Sequence, residues 1–274
     1  MLSWLQKLVG CKECPDSSQE IVVLENSLAN AIKERNEFSK ENLDLEKKVS
    51  DMEVKITDLT IALSQTPLAP SEREIYWENK YPKADDVRWT CRYIYNLAGE
   101  KEACQVDPRI FWQTNSGELR DIGLSIKALF RLKNKREPSF DELALECLRW
   151  VKKNVKYTSD KSVFGVEEYW QFWYETLEIK TGDCEDGAIM LANLMLSVGI
   201  PYWRVRLNAG EVKGGGHAYV TYCRETDDEF VTLDWCYWVN DKLPKDRPLH
   251  RDERDYYGIW WSWNTKFIFK KQEF

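Results

Sequence analysis

The chain has 274 residues, of which 43% are hydrophobic and 31% charged, and its formal net charge is −7. This length accommodates one substantial globular domain with an accessory element. The composition is that of an ordinary folded protein, and the negative charge provides no basic face for nucleic acid or anionic lipid. The first ten residues are too short and too interrupted for a signal peptide, and no stretch approaches the length of a membrane span. We therefore predict a product that is cytosolic when made, with neither nucleic acid nor a membrane as partner.

Eight cysteines are scattered along the chain. Because the sequence has no export signal, we expect free thiols rather than a disulfide framework. Cys11 and Cys14 have the spacing of a zinc-binding pair, but a structural zinc site needs two more ligands and the sequence has no second pair of this kind. We interpret residues 1–20 as a flexible segment.

Apolar residues recur at alternating steps of three and four between residues 21 and 63, which is the heptad pattern of a coiled coil. Arg35 and Asn42 interrupt the apolar seam, and polar residues in a seam set register and oligomer state. A helix of this length would run about 64 Å and would leave an apolar stripe exposed if it stood alone. We predict a homo-oligomer, a parallel dimer or trimer. The alternative is one amphipathic helix lying on the globular domain.

The sequence changes character after this segment. Pro67 and Pro70 cannot continue a helix, so residues 64–71 are predicted to be a linker and residues 72–274 the catalytic domain. Within that domain the apolar periodicity predicts two helices and then three strands: helices over 118–133 and 139–155, and strands over 202–207, 217–223 and 230–239. Helices followed by an antiparallel sheet indicate an α+β fold. The aromatic tail over 252–269 is interpreted as a segment that covers the core.

Cys184 lies at the predicted start of an apolar helix, in a setting typical of a nucleophile. Helix amino termini and a nearby imidazolium both favour a thiolate. His217 follows three glycines onto a predicted strand, and Asp234 lies on the next. His217 and Asp234 project from one face only if the two strands pair residues whose numbers have an odd sum. The roles would then be nucleophile for Cys184, general base and acid for His217, and imidazole orienter for Asp234.

Several short runs resemble the transglutaminase-like superfamily, and most of all its bacterial and phage cysteine peptidases. They are Gly182-Asp183-Cys184-Glu185-Asp186, the helix end Gly199-Ile200-Pro201, Gly216-His217-Ala218-Tyr219-Val220 and Leu233-Asp234-Trp235. The resemblance covers residues 160–240 well. It implies a papain-like arrangement, a nucleophile helix packed on an antiparallel sheet, with Cys184, His217 and Asp234 as the triad. It says nothing about residues 1–70.

Two further features bear on the chemistry. Enzymes of this kind stabilise the oxyanion with the nucleophile's backbone amide and a side-chain donor, for which Gln171 and Trp170 are candidates. The acidic residues beside Cys184 oppose its ionisation, and a calcium ion would offset them because it binds clustered carboxylate oxygens. Some peptidases that the sequence resembles bind calcium through these positions, which implies Asp183 and Glu185 as ligands. The thiol chemistry itself requires no cofactor.

Three functions remain open at this point. The first is a thiol-dependent acyl-transfer hydrolase, a peptidase or amidase, acting on a protein or peptide substrate. The second is a protein-glutamine transglutaminase, in which an amine resolves the same thioester. The third is a non-catalytic oligomeric protein, such as a phage virion component, in which the coiled coil is the working part.

Overall fold

The computed structural model describes residues 71–270, apart from 85, 96, 115 and 239, together with separate residues between 26 and 48. The chain divides into two units, Met1–Ala69 and Pro70–Phe274. The described residues of the first unit are helical, and Lys48 forms an ion pair with Asp44, one turn away, at 2.8 Å. The coiled coil and the oligomer predicted over 21–63 fall largely outside the described residues, as do Cys11 and Cys14, and they stay predictions.

The helices of the second unit come mainly before its sheet. They are α1 (Glu72–Lys80), α2 (Gly117–Asn134), α3 (Phe140–Asn154), α4 (Asp160–Phe164), α5 (Trp173–Ile179) and α6 (Cys184–Ser197). Two of them, α2 and α3, confirm the helices predicted from periodicity. Ser139 caps α3 through a reciprocal pair of bonds: its hydroxyl accepts from the Glu142 amide at 3.2 Å, and the Glu142 carboxylate accepts from the Ser139 amide at 2.9 Å.

Ten strands are described in this unit. They are β1 (Lys83–Ala84), β2 (Trp89–Tyr95), β3 (Lys101–Val106), β4 (Lys156–Tyr157), β5 (Thr181–Gly182), β6 (Val205–Val212), β7 (Gly215–Cys223), β8 (Phe230–Leu233), β9 (Tyr256–Trp263) and β10 (Ile268–Phe269). Six of them form one sheet in the order β1-β10-β9-β6-β7-β8, and its neighbouring strands are antiparallel. The predicted α+β class is confirmed. None of the described helices is long and apolar enough to cross a membrane.

The core lies between α6 and the sheet. Every residue of α6 from Gly187 to Met195 is buried, as expected for a helix that is apolar all round. The same core cluster contains Val205 and Val220 of the central strands. Cys184 therefore lies at the start of a helix whose following residues are buried, and this burial fixes the position of the helix start.

Two strand predictions need correction. The segment predicted as a strand from residue 202 begins instead with a 3-10 turn, Tyr202–Arg204, before β6. The strand predicted over 230–239 ends at Leu233, so Asp234 follows the strand rather than lying in it. The reason is local: Oδ1 of Asp234 accepts backbone N–H bonds from Cys236 at 3.0 Å and Tyr237 at 3.1 Å, which closes a turn.

The aromatic segment over 252–269, predicted to cover the core, contributes a strand to the sheet. Its residues form β9, an inner strand paired with β6 on one side and β10 on the other. Trp261 and Trp263 of β9 belong to the core cluster. Such a strand is difficult to recognise from the sequence because aromatic residues occupy both of its faces.

Candidate functional site

Cys184 is the first residue of α6, and Asp183 precedes it as the N-cap. The turn into the helix is anchored by β5, which pairs in parallel with β4. Gly182 is required here because a methyl group in its place would lie 2.5 Å from Cβ of Asp186. The backbone N–H of Ala218, the residue after His217, is directed towards the sulfur of Cys184. This contact brings the helix start against β7.

The surroundings of Cys184 oppose ionisation of its thiol. Burial first, and then the charge of Asp183, raise the pKa of Cys184 to about 12, although the N–H of Ala218 acts in the other direction. The thiol donates to Oε2 of Glu185 at 3.1 Å. The conflict between acidic neighbours and a thiolate, expected from the sequence, is therefore present in the structure.

His217 and Asp234 lie side by side. The pairing of Val220 with Leu233 gives β7 and β8 the odd register that the sequence argument required, although Asp234 itself lies in the turn after β8. Nε2 of His217 is 2.6 Å from Oδ2 of Asp234, which leaves Nδ1 as the ring nitrogen available to a thiol. The hydroxyl of Tyr256 donates to the same Oδ2 at 2.8 Å.

Asp234 is held as a carboxylate. Burial opposes its ionisation, but the bonds from His217, the Cys236 amide and Tyr256 outweigh this and hold the pKa of Asp234 below its ordinary value. A fixed carboxylate of this kind sets the tautomer and orientation of an imidazole. Tyr256, which supplies one of these bonds, could not be identified from the sequence because only the sheet brings β9 near residue 234.

Carboxylates from two parts of the chain converge behind the thiol. Oxygens of Asp160, Asp183 and Asp186 all lie within 4.8 Å of one another, and those of Asp183 and Glu185 are equally close to the sulfur of Cys184. Burial raises the pKa of Asp160 to about 7, with a further contribution from the charge of Asp183. Burial also raises the pKa values of Glu185 and Asp186 well above the ordinary range.

Gln171 donates hydrogen bonds to this acidic cluster. Its backbone N–H donates to Oδ1 of Asp186 at 2.7 Å, and its Nε2 donates to Oδ2 of Asp186 at 2.5 Å and to the carbonyl of Thr181 at 3.2 Å. Both amide hydrogens are thus engaged away from the thiol, and its role as an oxyanion donor stays a prediction. The other candidate, Trp170, is buried in the core and donates to Glu168 at 2.6 Å.

The cluster has the chemistry of a calcium site. Four buried oxygens in it have no hydrogen-bond partner: Asp160 Oδ1, Gln171 Oε1, Asp183 Oδ1 and Glu185 Oε1. Buried polar atoms in folded proteins are almost always paired, so four exceptions among the residues of this cluster and Gln171 call for an explanation. Oxygens bound to one Ca²⁺ lie about 2.4 Å from the ion and hence at most about 4.8 Å from each other. The oxygens of Asp160, Asp183 and Asp186 meet this spacing, and the cluster fits calcium in residue type and charge.

Residues 127–241 match the Transglutaminase-like domain family. Residues 127–241 are a transglutaminase-like domain. The matched range contains Cys184, His217 and Asp234 together with the acidic cluster. The fold and family expected from the sequence are confirmed.

Solved structures show further similarities to this chain. Calcium-bound LapG of Legionella pneumophila is 20% identical with a TM-score of 0.42, and the match covers 56% of this chain and 75% of LapG. EGTA-treated LapG of the same organism is 18% identical with a TM-score of 0.42, covering 60% and 83%. A protein described as a TGase is 12% identical with a TM-score of 0.33, covering 69% and 53%. No curated protein sequence matches the chain.

Proposed function

We propose that this transglutaminase-like domain is a cysteine-dependent acyl-transfer hydrolase that cleaves an amide, in a peptide bond or a glutamine side chain, through a thioester on Cys184. The observation that supports it most directly is the hydrogen bond of 2.6 Å between Nε2 of His217 and Oδ2 of Asp234. The next residue on β7, Ala218, has its backbone N–H towards the sulfur of Cys184 at the start of α6. This arrangement has the parts that thiol acyl transfer needs: nucleophile, base and orienter.

The first half of the reaction forms the thioester. Nδ1 of His217 takes the proton of the Cys184 thiol, and the thiolate attacks the amide carbonyl carbon. A carbon–sulfur bond forms, and the carbonyl oxygen becomes an oxyanion next to the first N–H groups of α6, which have no partner within the helix. The imidazolium, stabilised by Asp234, then protonates the leaving nitrogen as the carbon–nitrogen bond breaks, and an amine or ammonia departs.

The second half releases the product. His217 removes a proton from water as the oxygen attacks the thioester carbonyl. The carbon–sulfur bond then breaks to release a carboxylic acid, and the imidazolium returns its proton to the sulfur of Cys184. In the transglutaminase alternative a lysine amine attacks in place of water and leaves an amide cross-link. Mass spectrometry of the products separates the two, because hydrolysis of a glutamine leaves glutamate whereas transfer joins two chains.

Substitution of the proposed nucleophile and base tests the proposal. We expect Cys184→Ala and His217→Ala to abolish turnover of an amide substrate while circular dichroism shows an intact fold. Cys104→Ala, which changes a partly exposed thiol on β3, is the control and keeps full activity. Amide turnover by Cys184→Ala equal to that of the wild type would overturn the proposal, whereas a wild type without turnover would favour the non-catalytic oligomeric alternative.

We further propose that calcium binds behind the nucleophile, held by Asp160, Asp183 and Glu185 with the amide oxygen of Gln171. Bound calcium supplies positive charge beside Cys184 and so favours its thiolate. Asp186 then acts from the second layer, since it accepts bonds from Gln171 and from the Asp183 amide at 3.1 Å.

Thermal melting tests the calcium proposal. Calcium in excess of chelator is expected to raise the melting temperature and to speed alkylation of Cys184 by iodoacetamide. Magnesium at the same concentration is the control, because Mg²⁺ demands a smaller octahedral site. Equal melting temperatures and equal alkylation rates in calcium and in EGTA would rule the site out.

A further inference from the structure

Trp260 occupies an irregular position in the sheet. β6 and β9 pair Ala209 with Trp261 and Gly210 with Ile259, so Trp260 has no partner on β6. A bulge of this kind turns a side chain out of the regular alternation, and such bulges are frequent next to active sites. Trp260 is 40% exposed, whereas the adjacent Trp261 is only 7% exposed.

The indole of Trp260 lies on Gly216, the residue before His217. A methyl group at Gly216 would be 2.9 Å from Cη2 of Trp260, so the indole keeps this position only because residue 216 is glycine. Gly216 lies two residues before Ala218 on β7, and the backbone N–H of Ala218 is directed towards the sulfur of Cys184. The indole therefore covers β7 two residues from the position whose N–H is directed towards the thiol.

An aromatic side chain also stands on the β5 side of the thiol. Tyr157 of β4 is paired with Gly182, two residues before Cys184, and is 55% exposed. Its ring is 6.0 Å from that of Trp235, whose Nε1 donates to the Cys184 carbonyl at 3.0 Å. Aromatic surfaces that stay exposed beside a reactive group are typical of sites that bind apolar side chains.

We propose that Trp260 is a specificity-determining residue: an apolar side chain of the acyl donor packs on its indole while the scissile amide lies at Cys184. The preferred donor is a peptide with an aromatic or branched aliphatic residue close to the cleaved amide. The identification of the bound group as part of a substrate rests on the proposed function. The contact between an apolar group and Trp260 does not depend on that function. Burial of such a group on an indole changes reaction rates by about 10-fold.

Alkylation of Cys184 tests the contact without requiring turnover. N-benzyl-iodoacetamide and iodoacetamide carry the same reactive group and differ in an apolar arm. The rate of each at Cys184 is followed by peptide mass spectrometry, in calcium and in EGTA, and divided by its rate with glutathione. We expect the benzyl reagent to be favoured about 10-fold in the wild type and in Tyr257→Ala, which removes an exposed aromatic from the same strand. In Trp260→Ala the preference is lost.

A double substitution shows whether Gly216 acts through the indole. Gly216→Ala displaces Trp260 and is expected to reduce the preference as Trp260→Ala does. When added to Trp260→Ala it has no further effect on the preference, because the indole that the methyl would meet is absent. Independent effects of the two substitutions would contradict the proposed contact.

The outcomes separate this inference from the proposed function. Loss of the preference in Trp260→Ala would support the contact between Trp260 and an apolar group. If the wild type at the same time shows no amide turnover, the hydrolase proposal is overturned. With turnover present, Trp260→Ala lowers kcat/KM for donors with an apolar residue about 10-fold more than for donors with glycine there. A preference that Trp260→Ala leaves unchanged would overturn the inference, as would a wild type with no preference.

Discussion

The indole nitrogen of Trp235 donates a hydrogen bond to the backbone carbonyl of Cys184 at 3.0 Å. Because Trp235 directly follows Asp234, this bond ties the turn that carries the carboxylate to the helix start that carries the thiol. The indole lies flat against α6 at Gly187, where a methyl group would be 2.1 Å from Cε2 of the ring. The absence of a side chain at Gly187 is thus what allows the two parts of the site to meet.

Gly187→Ala should therefore damage the site. The added methyl would push Trp235 outward, break its bond to Cys184 and destabilise the fold by about 1–3 kcal/mol through overpacking. Amide turnover and the unfolding free energy in urea measure both effects. Gly117→Ala is the matched control, because a methyl there meets nothing within 4 Å. Unchanged activity in Gly187→Ala would show that the Trp235 contact is dispensable.

Asp234→Asn should preserve the shape of the site and lose most of its activity. The amide group introduced by this substitution would present hydrogens either to the Cys236 and Tyr237 N–H groups or to His217 and Tyr256, all of which act on Asp234 as donors. We expect kcat to fall by about 10²- to 10⁴-fold, because the imidazole loses both its orientation and its counter-charge. A steady-state assay, with circular dichroism to confirm folding, measures this. A change of less than about twofold, within the range of surface substitutions, would contradict the assigned role.

Asp160→Asn should separate the repulsion among the buried carboxyl groups from their binding of calcium. Without calcium the variant is expected to melt at a higher temperature than the wild type, because one of the mutually repelling buried carboxyls is gone. Calcium should raise the melting temperature of the variant less than that of the wild type, because a charged ligand is missing. Asp121→Asn, on the exposed face of α2, is the control for charge alone. An equal calcium-induced shift in wild type and Asp160→Asn would remove Asp160 from the ligand set.

The pH dependence of stability follows from the same residues. In the unfolded chain Asp160 ionises near its ordinary pKa of 3.8, whereas burial raises the pKa in the folded protein to about 7. Between these values the folded protein binds more protons, so its unfolding free energy decreases as the pH rises. Asp183, Glu185 and Asp186 act in the same direction.

We therefore expect that in EGTA the melting temperature rises when the pH is lowered from 7 to about 5, equivalent to about 1–3 kcal/mol. Asp234, whose pKa is lowered, opposes this only below its ordinary value of 3.8. In calcium the trend should reverse, since protons then compete with the ion for the carboxylates. Differential scanning fluorimetry in the two buffers makes the comparison. A melting temperature in EGTA that falls steadily on acidification from pH 7 would contradict the charge account of the cluster.

The parts of the site that lie within one run of sequence were predictable, and the parts contributed by distant elements were not. Cys184 could be placed at a helix start because Gly182 and the apolar run after it are local signals. The approach of His217 and Asp234 was expected from an odd register of β7 and β8, although Asp234 lies in the turn after β8 rather than on the strand. Asp160 and Tyr256 carry no such signal, because they reach the site only through the packing of α4 and the pairing of β9.

The end of β8 shows the same limit. The sequence from Phe230 onward alternates well enough to suggest a longer strand, but the carboxylate of Asp234 captures two backbone amides and closes a turn instead. Side chains that bond their own backbone compete with sheet pairing, and apolar periodicity does not register that competition.

The most direct test of the account is a search for an acyl-enzyme. The protein in calcium is mixed with a library of peptide amides, quenched in acid within a turnover, digested and analysed by mass spectrometry. We predict an acyl group on Cys184 whose mass equals that of the carbonyl part of the donor, present in the wild type and absent from Cys184→Ala. Turnover of the same peptides by Cys184→Ala, or an acyl group on another residue with Cys184 unmodified, would contradict the account.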